Sequence, residues 1–307
     1  MTSAAIRFLG GKGGVGKTTL AAALALREAG RGLRTLVVST DPAHSLGDVL
    51  DTRLGDDPRP VASGLWAAEV SGEAQAERRV AQIVDDAAES VPREVLPAVR
   101  AHLERAVASP GTVEAALLDR LADLVEQVPA AYDRLVVDSA PTGHMLRLLT
   151  LPDLVTPWIE GLARSRERAR DADRMFAGML GHRADDPDPL LARLHARRDR
   201  MAGLRGRLRS DAAVHLVVVP ERLVWTETER AIDALVEAGI PLATAVVNRV
   251  VPANEAGLLA ATRASQDEVL AAVRARVGDG VEIPLLADGP TGSAALTRLA
   301  AALEDVG

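Results

Sequence analysis

The sequence predicts an α/β protein with a mostly parallel sheet flanked by helices, enlarged by an inserted helical subdomain. Three observations carry this. Short apolar segments rich in Val and Leu recur along the chain without strict alternation, which is how strands buried on both faces read. Helical stretches separate them, the rhythm of a parallel sheet. Two long segments, about 73–126 and 157–209, carry no strand signal at all.

Residues 6–9 form the first expected strand. A glycine-rich turn follows, then a helix over 19–29 with Gly30 as its stop. Further strands are expected at 34–39, 134–138, 214–219, 243–248 and 281–285, and a second clear helix at 227–238, stopped by Gly239. The two strandless segments read as helical and polar, punctuated by Pro92, Pro97, Pro110, Pro187 and Pro189. We read residues 1–307 as one domain, with those segments inserted into the α/β core.

Composition narrows the options. Hydrophobic residues make up 48% of the chain but aromatics only 2%, so the core is expected to be Leu, Val and Ala. A net charge of −7 argues against a nucleic-acid partner. There is no cysteine, which excludes disulfides, thiolate metal sites, iron–sulfur clusters and cysteine nucleophiles. The start of the chain, MTSAAIRFLGGKGG, lacks a basic stretch followed by an apolar one. No apolar run approaches the ~20 residues that span a bilayer. The expectation is a soluble, cytoplasmic protein.

Chemistry first appears at residues 11–18, GKGGVGKT, which fit G-x-x-x-x-G-K-[ST] between an expected strand and an expected helix. Gly11, Gly13, Gly14 and Gly16 let the backbone bend so that N–H groups of the turn, from Val15 through Thr19, point at phosphates. The helix N-terminus adds its positive dipole end. Lys17 is suited to the β/γ-phosphates and the Thr18 hydroxyl to Mg²⁺. The chain therefore reads as a P-loop NTPase that binds a nucleoside triphosphate with Mg²⁺. Lysine usage sharpens this: lysine and arginine total 36, and the only two lysines are Lys12 and Lys17.

Two more strand ends carry carboxylates, at the edge where open α/β sheets bind ligands. Asp41 lies in STDPAHSL at 39–46 and is suited to orient and deprotonate an attacking water. Asp138 opens DSAPTGHMLRLL at 138–149 and is suited to contact Mg²⁺ directly or through water.

Lys12, one residue after the first glycine, makes the loop the deviant form. It resembles the dimeric ATPases that include MinD, ParA, the nitrogenase iron protein and the ArsA-type ATPases. The resemblance implies that Lys12 crosses the dimer interface to the partner's nucleotide. A point charge supplied in trans can neutralise charge on the transferred phosphoryl group.

The two strand-end motifs are similar to those of the ArsA/GET family, the arsenite-pump and tail-anchored-protein-targeting ATPases. STDPAHSL resembles its switch I, with Pro42, His44 and Ser45. DSAPTGH resembles switch II, with Pro141, Thr142, Gly143 and His144, and with Ser139 in place of the usual threonine. SPGTVE at 109–114 and ERLVWTETERAIDAL at 221–235 resemble two further family segments. Asn248 stands where the family places an adenine-contacting asparagine, and Pro284 near its second adenine-side loop. From its chemistry alone, Asn248 reads adenine or braces a turn. His44 and His144 either bond across a dimer or support their loops.

The resemblance implies an ATP-hydrolysing dimer, with itself or a related subunit, whose closure is coupled to a client or membrane partner. Alternatives are a MinD/ParA-like positioning ATPase and the regulatory subunit of a heterodimer. Without cysteine, arsenite activation through thiolates is excluded. Residues 256–269 hold no Cys or His, so no zinc staple is expected there. Met175, Phe176, Met179 and Leu180 read as a groove wall or as a buried helix end. The Arg-rich stretch 190–209 reads as a solvated basic face or as a dock for an acidic partner.

Overall fold

The computed structural model describes residues 4–43, 45–90, 96–107, 110–179, 188–286, 292–304 and 306. The chain runs β1 (Ile6–Gly10), α1 (Lys17–Gly30), β2 (Thr35–Ser39), α2 (Leu46–Val49), β3 (Arg59–Ala62) and β4 (Leu65–Glu69). It continues through α3 (Gly72–Ser90), α4 (Leu96–Val107), α5 (Pro110–Glu126), β5 (Arg134–Asp138), α6 (Thr142–Met179) and α7 (Pro189–Ser210). It ends with β6 (Ala212–Val218), α8 (Arg222–Glu237), β7 (Val246–Val250), α9 (Leu258–Val277), β8 (Val281–Pro284) and α10 (Ser293–Ala302).

One eight-stranded sheet holds these together in the order β3-β4-β2-β5-β1-β6-β7-β8. Only β3 and β4 pair antiparallel; the other six pairings are parallel. Every residue of β1, β2 and β5 is buried. That is why these strands are apolar throughout and lack an alternating face. Their C-terminal ends line up: Leu9 pairs with Asp138, and Asp138 pairs with Ser39.

Two strands were not expected from the sequence. β3 is an exposed edge carrying Arg59 and Pro60, a place where proline costs no ladder bond. β4, LWAAE, is too short and too rich in Ala and Glu to signal a strand. Helix α6 also differs from expectation. It starts at Thr142 rather than near 157 and runs 38 residues through Pro152 and Pro157. Within it, the Thr156 hydroxyl donates to Pro152 O at 2.6 Å, and the helix packs along α7.

The basic stretch of α7 is not a free cationic face. Arg197 pairs with Asp119 of α5 at 3.1 Å, and Arg205 and Arg209 pair with Asp153 of α6 at 3.4 and 3.1 Å. Arg200 pairs with Asp123. On the same helix, Met201, Leu204 and Leu208 are buried. Along α6, Ile159 is buried while Leu154, Trp158 and Met175 are exposed. The side chains of Phe176, Met179 and Leu180 lie outside the described residues.

At the opposite end of the sheet from Asp138, Glu28 of α1 is buried among arginines. Arg27 bonds it at 2.5 Å, Arg134 at 3.2 Å, and Arg7 approaches at 3.8 Å. Arg27 Nη2 also donates to Val306 O at 2.7 Å. The cluster ties α1, β1 and β5 to the C-terminal segment.

Candidate functional site

The site is built where β1, β2 and β5 end. The loop 11–16 leaves β1 at Gly10 and enters α1 at Lys17. Two glycines are structurally obligatory. A Cβ on Gly11 would lie 2.4 Å from the Val217 carbonyl oxygen of β6. Gly16 caps α1 in the left-handed conformation, φ 95°, where an L side chain is strained. Val15 is buried and anchors the loop, whereas Gly13 and Gly14 are exposed at its tip.

Lys17 is buried, and its Nζ donates to the carbonyl of Lys12 at 3.2 Å. Burial lowers its pKa, and the charges of Asp138 and Asp41 oppose that shift. Both carboxylates expected from the sequence therefore act on the lysine of the phosphate loop.

Asp138 is fully buried. Ser39 Oγ donates to its Oδ2 at 2.8 Å. Its Oδ1 is buried with no hydrogen-bond partner among the described residues. Burial pushes this carboxyl up to about 6, against the Ser39 and Thr18 hydroxyls and the Lys17 charge, with Asp41 adding to the rise. A buried carboxylate oxygen with no hydrogen bond of normal geometry, only the nearby Thr18 hydroxyl, is costly by itself. Beside a threonine hydroxyl, it suits a hard cation.

The segment 39–46 joins the phosphate loop directly: Ser45 Oγ donates to Thr18 Oγ1 at 3.2 Å. Asp41 Oδ1 accepts from the Ala43 N–H at 3.0 Å, which folds the segment into a tight turn. Glu69, at the end of β4, accepts from the Gly47 N–H at 2.9 Å and holds α2 in place. His44 lies outside the described residues. After β5, the Pro141 carbonyl accepts from the N–H groups of His144 and Met145 at 2.8 and 3.2 Å, which starts α6. Thr142 is buried, and Gly143 and His144 are exposed. Met145 fills the space over Gly10, where an added Cβ would lie 2.5 Å from its Cε.

Two hollows flank these groups. A cleft of about 610 Å³ is lined by Asp41, Pro42, Pro141, His144, Glu73 and Glu114, among others. A cavity of about 130 Å³ is lined by Gly16, Thr19, Asn248 and Pro284, among others. Asn248 Nδ2 donates to Val15 O at 2.8 Å, so it also braces the phosphate loop. Lys12 stands apart from this set, at 3.5 Å from Glu227 of α8.

The geometry thus brings together Lys17, Thr18, Ser45, Asp41 and Asp138, with Asn248, Thr19 and Pro284 on the other side of the loop. Sequence reasoning gave no role to Ser39, Glu69, Met145 or Glu227. Ser39, Met145 and Glu227 fall inside the motifs at 39–46, 138–149 and 221–235, but their contacts are between elements distant in sequence.

An eight-stranded, mostly parallel sheet flanked by helices, with a glycine-rich loop between β1 and α1, defines the chain as a P-loop NTPase. Within that class, the family profile described as anion-transporting ATPase matches residues 4–305. The chain belongs to this ArsA/GET family of ATPases. It is 34% identical over 287 residues to ATPase ARSA1 of Chlamydomonas reinhardtii, covering 86% of this chain and 37% of that one. It is 32% identical over 263 residues to ATPase GET3C of Arabidopsis thaliana, covering 81% and 67%. The arsenical pump-driving ATPase of Escherichia coli is 32% identical over 281 residues, covering 89% and 44%. The chain spans less than half the length of the Chlamydomonas and Escherichia relatives.

Proposed function

We propose that this protein is a Mg²⁺-dependent ATPase that closes as a dimer on ATP, with itself or a related subunit, and passes that closure to a client or membrane partner. The observation that carries the reading is the unpartnered, buried Oδ1 of Asp138 beside Thr18 and Lys17. Thr18 and Asp138 would hold Mg²⁺; when bound, the ion neutralises phosphate charge. Lys17 and the loop N–H groups hold the phosphates. Asp41 orients the attacking water and accepts its proton. The cavity beside Asn248 and Pro284 seats the base. Lys12 acts on the partner's phosphoryl group.

One relative is named for driving an arsenical pump, and another is named ATPase GET3C. With no cysteine in the chain, thiolate capture of arsenite is not its trigger. No helix among the described residues is long and apolar enough to cross a membrane, and we place the protein in the cytoplasm. The two helical groups, α3–α5 and α6–α7, we read as one subdomain inserted in a single ATPase domain. Because α6 begins in switch II and extends to the exposed Trp158 and Met175, it is the element suited to move with the nucleotide state.

Steady-state turnover and sedimentation with ATP and Mg²⁺ test the reading. Wild type should hydrolyse ATP and dimerise. Lys17→Ala should not bind ATP. Asp41→Asn should bind and dimerise without turnover. A Lys12→Ala protein that hydrolyses normally as a monomer would refute the trans role.

A further inference from the structure

Lys12 is held at both ends. Its ammonium lies 3.5 Å from Glu227 Oε2 on α8, with the two side chains 42% and 43% exposed. Its backbone carbonyl accepts from Lys17 Nζ at 3.2 Å. The next two residues, Gly13 and Gly14, are exposed, and a Cβ on either would meet nothing within 4 Å. The loop tip is therefore open to a second molecule, while the one lysine on that tip is turned toward its own chain.

We propose that Glu227 is a resting latch for Lys12, a same-chain carboxylate that keeps the ammonium until a partner's nucleotide takes it. The inference rests on the dimer reading above. Its strength suits the task. A pair this exposed shifts an equilibrium by only about two- to five-fold, so it biases Lys12 without trapping it. A bound triphosphate offers several negative oxygens in place of one carboxylate and wins the exchange. The latch also lets Lys17 sense the exchange. Lys17 bonds the Lys12 backbone, so moving Lys12 outward disturbs the lysine that holds the chain's own phosphates.

The test is the protein concentration at half-dimerisation, measured by sedimentation velocity with Mg²⁺ and a non-hydrolysable ATP analogue. Glu227→Gln keeps the side chain's size and removes its charge. It should dimerise at about two- to five-fold lower concentration than wild type. On a Lys12→Met background the same change should have no effect, because there is nothing left to release. Glu227→Ala, if it folds better than the glutamine variant, should shift the midpoint the same way. An unchanged or raised midpoint for Glu227→Gln overturns the latch. A shift that persists on the Lys12→Met background overturns it as well. A wild type that never dimerises overturns the underlying dimer reading. A dimer weakened by Lys12→Met but indifferent to Glu227→Gln sinks the latch alone.

Discussion

Asn248 and Val15 lie 233 positions apart and are joined by a hydrogen bond of 2.8 Å from the asparagine Nδ2 to the valine carbonyl. The other end of the amide is also engaged: Oδ1 accepts from the Arg249 N–H at 3.0 Å. Arg249 has φ 59°, at an irregularity between Val247 and Val250 of β7. One side chain therefore braces both the bent end of β7 and the back of the phosphate loop. Asn248→Ala should weaken nucleotide binding by roughly five- to twenty-fold, the loss of one well-made bond. Competition with a fluorescent nucleotide decides how it acts. Equal losses for ATP and GTP assign the brace; a loss confined to ATP assigns base reading.

The same contact makes the loop's glycines unequal. A Cβ on Gly16 would sit 2.6 Å from Asn248 Nδ2, and its φ is 95°. Gly13 has open space around it. Gly16→Ala should abolish ATP binding and lower thermal stability. Gly13→Ala should fold with a wild-type melting temperature. Comparable melting temperatures for the two variants would show that the Asn248 brace yields easily.

Asp138 sets function against stability. At pH 7 the fold holds a buried carboxylate raised from 3.8 to about 6, a cost of roughly 3 kcal/mol in the ligand-free protein. Asp138→Asn removes the charge and keeps an acceptor for Ser39. It should raise ligand-free stability by about 1–3 kcal/mol in urea unfolding while eliminating Mg²⁺-dependent turnover. A destabilised, equally inactive variant would count against burial as the cause of the shift.

Acidification should separate Asp138 from His215. His215 is buried on β6, with Nδ1–H donating to Thr244 O at 3.0 Å. Burial holds it down from 6.5 to about 4. The depressed histidine contributes stability that is present above pH 6.5 and lost as pH falls toward 4. The raised Asp138 does the reverse: its contribution is full below its ordinary value and lost as pH rises through about 6. Between pH 6 and 4 the two oppose each other in wild type. Asp138→Asn leaves the histidine unopposed, so its stability should fall more steeply over that window, by up to roughly 3 kcal/mol more than wild type. Parallel pH profiles for the two proteins would contradict the assignment.

What the sequence disclosed depended on range. The phosphate loop is a local device, so GKGGVGKT could be read complete. Strands β1, β2 and β5 were readable because burial on both faces makes them apolar throughout. The bond from Ser39 to Asp138 was not, since it depends on β2 and β5 being neighbours in the sheet. The full length of α6 was not readable, because packing along α7 sustains a helix through Pro152 and Pro157. The arginines of α7 read as a solvated basic face or a dock for an acidic partner; their acidic partners lie on α5 and α6, out of reach of any local pattern.

Glu28 carries the last prediction. Burial pushes its carboxyl up, but the Arg27 hydrogen bond and the charges of Arg7, Arg27 and Arg134 outweigh it and hold the group below its ordinary value. Arg7, buried by the same cluster, is lowered to about 10. Removing this carboxylate takes away the counter-charge that Arg7, Arg27 and Arg134 share. Breaking one side of such a network typically costs about 3–5 kcal/mol. Glu28→Gln should therefore destabilise the protein by that order in urea unfolding, although the residue lies at the opposite end of the sheet from Asp138. Replacing Arg31, whose contact with Glu28 is a longer 3.8 Å from a half-exposed side chain, should cost under about 1 kcal/mol. Equal losses for the two would mean that Glu28 is solvated and the cluster is no more than surface pairing.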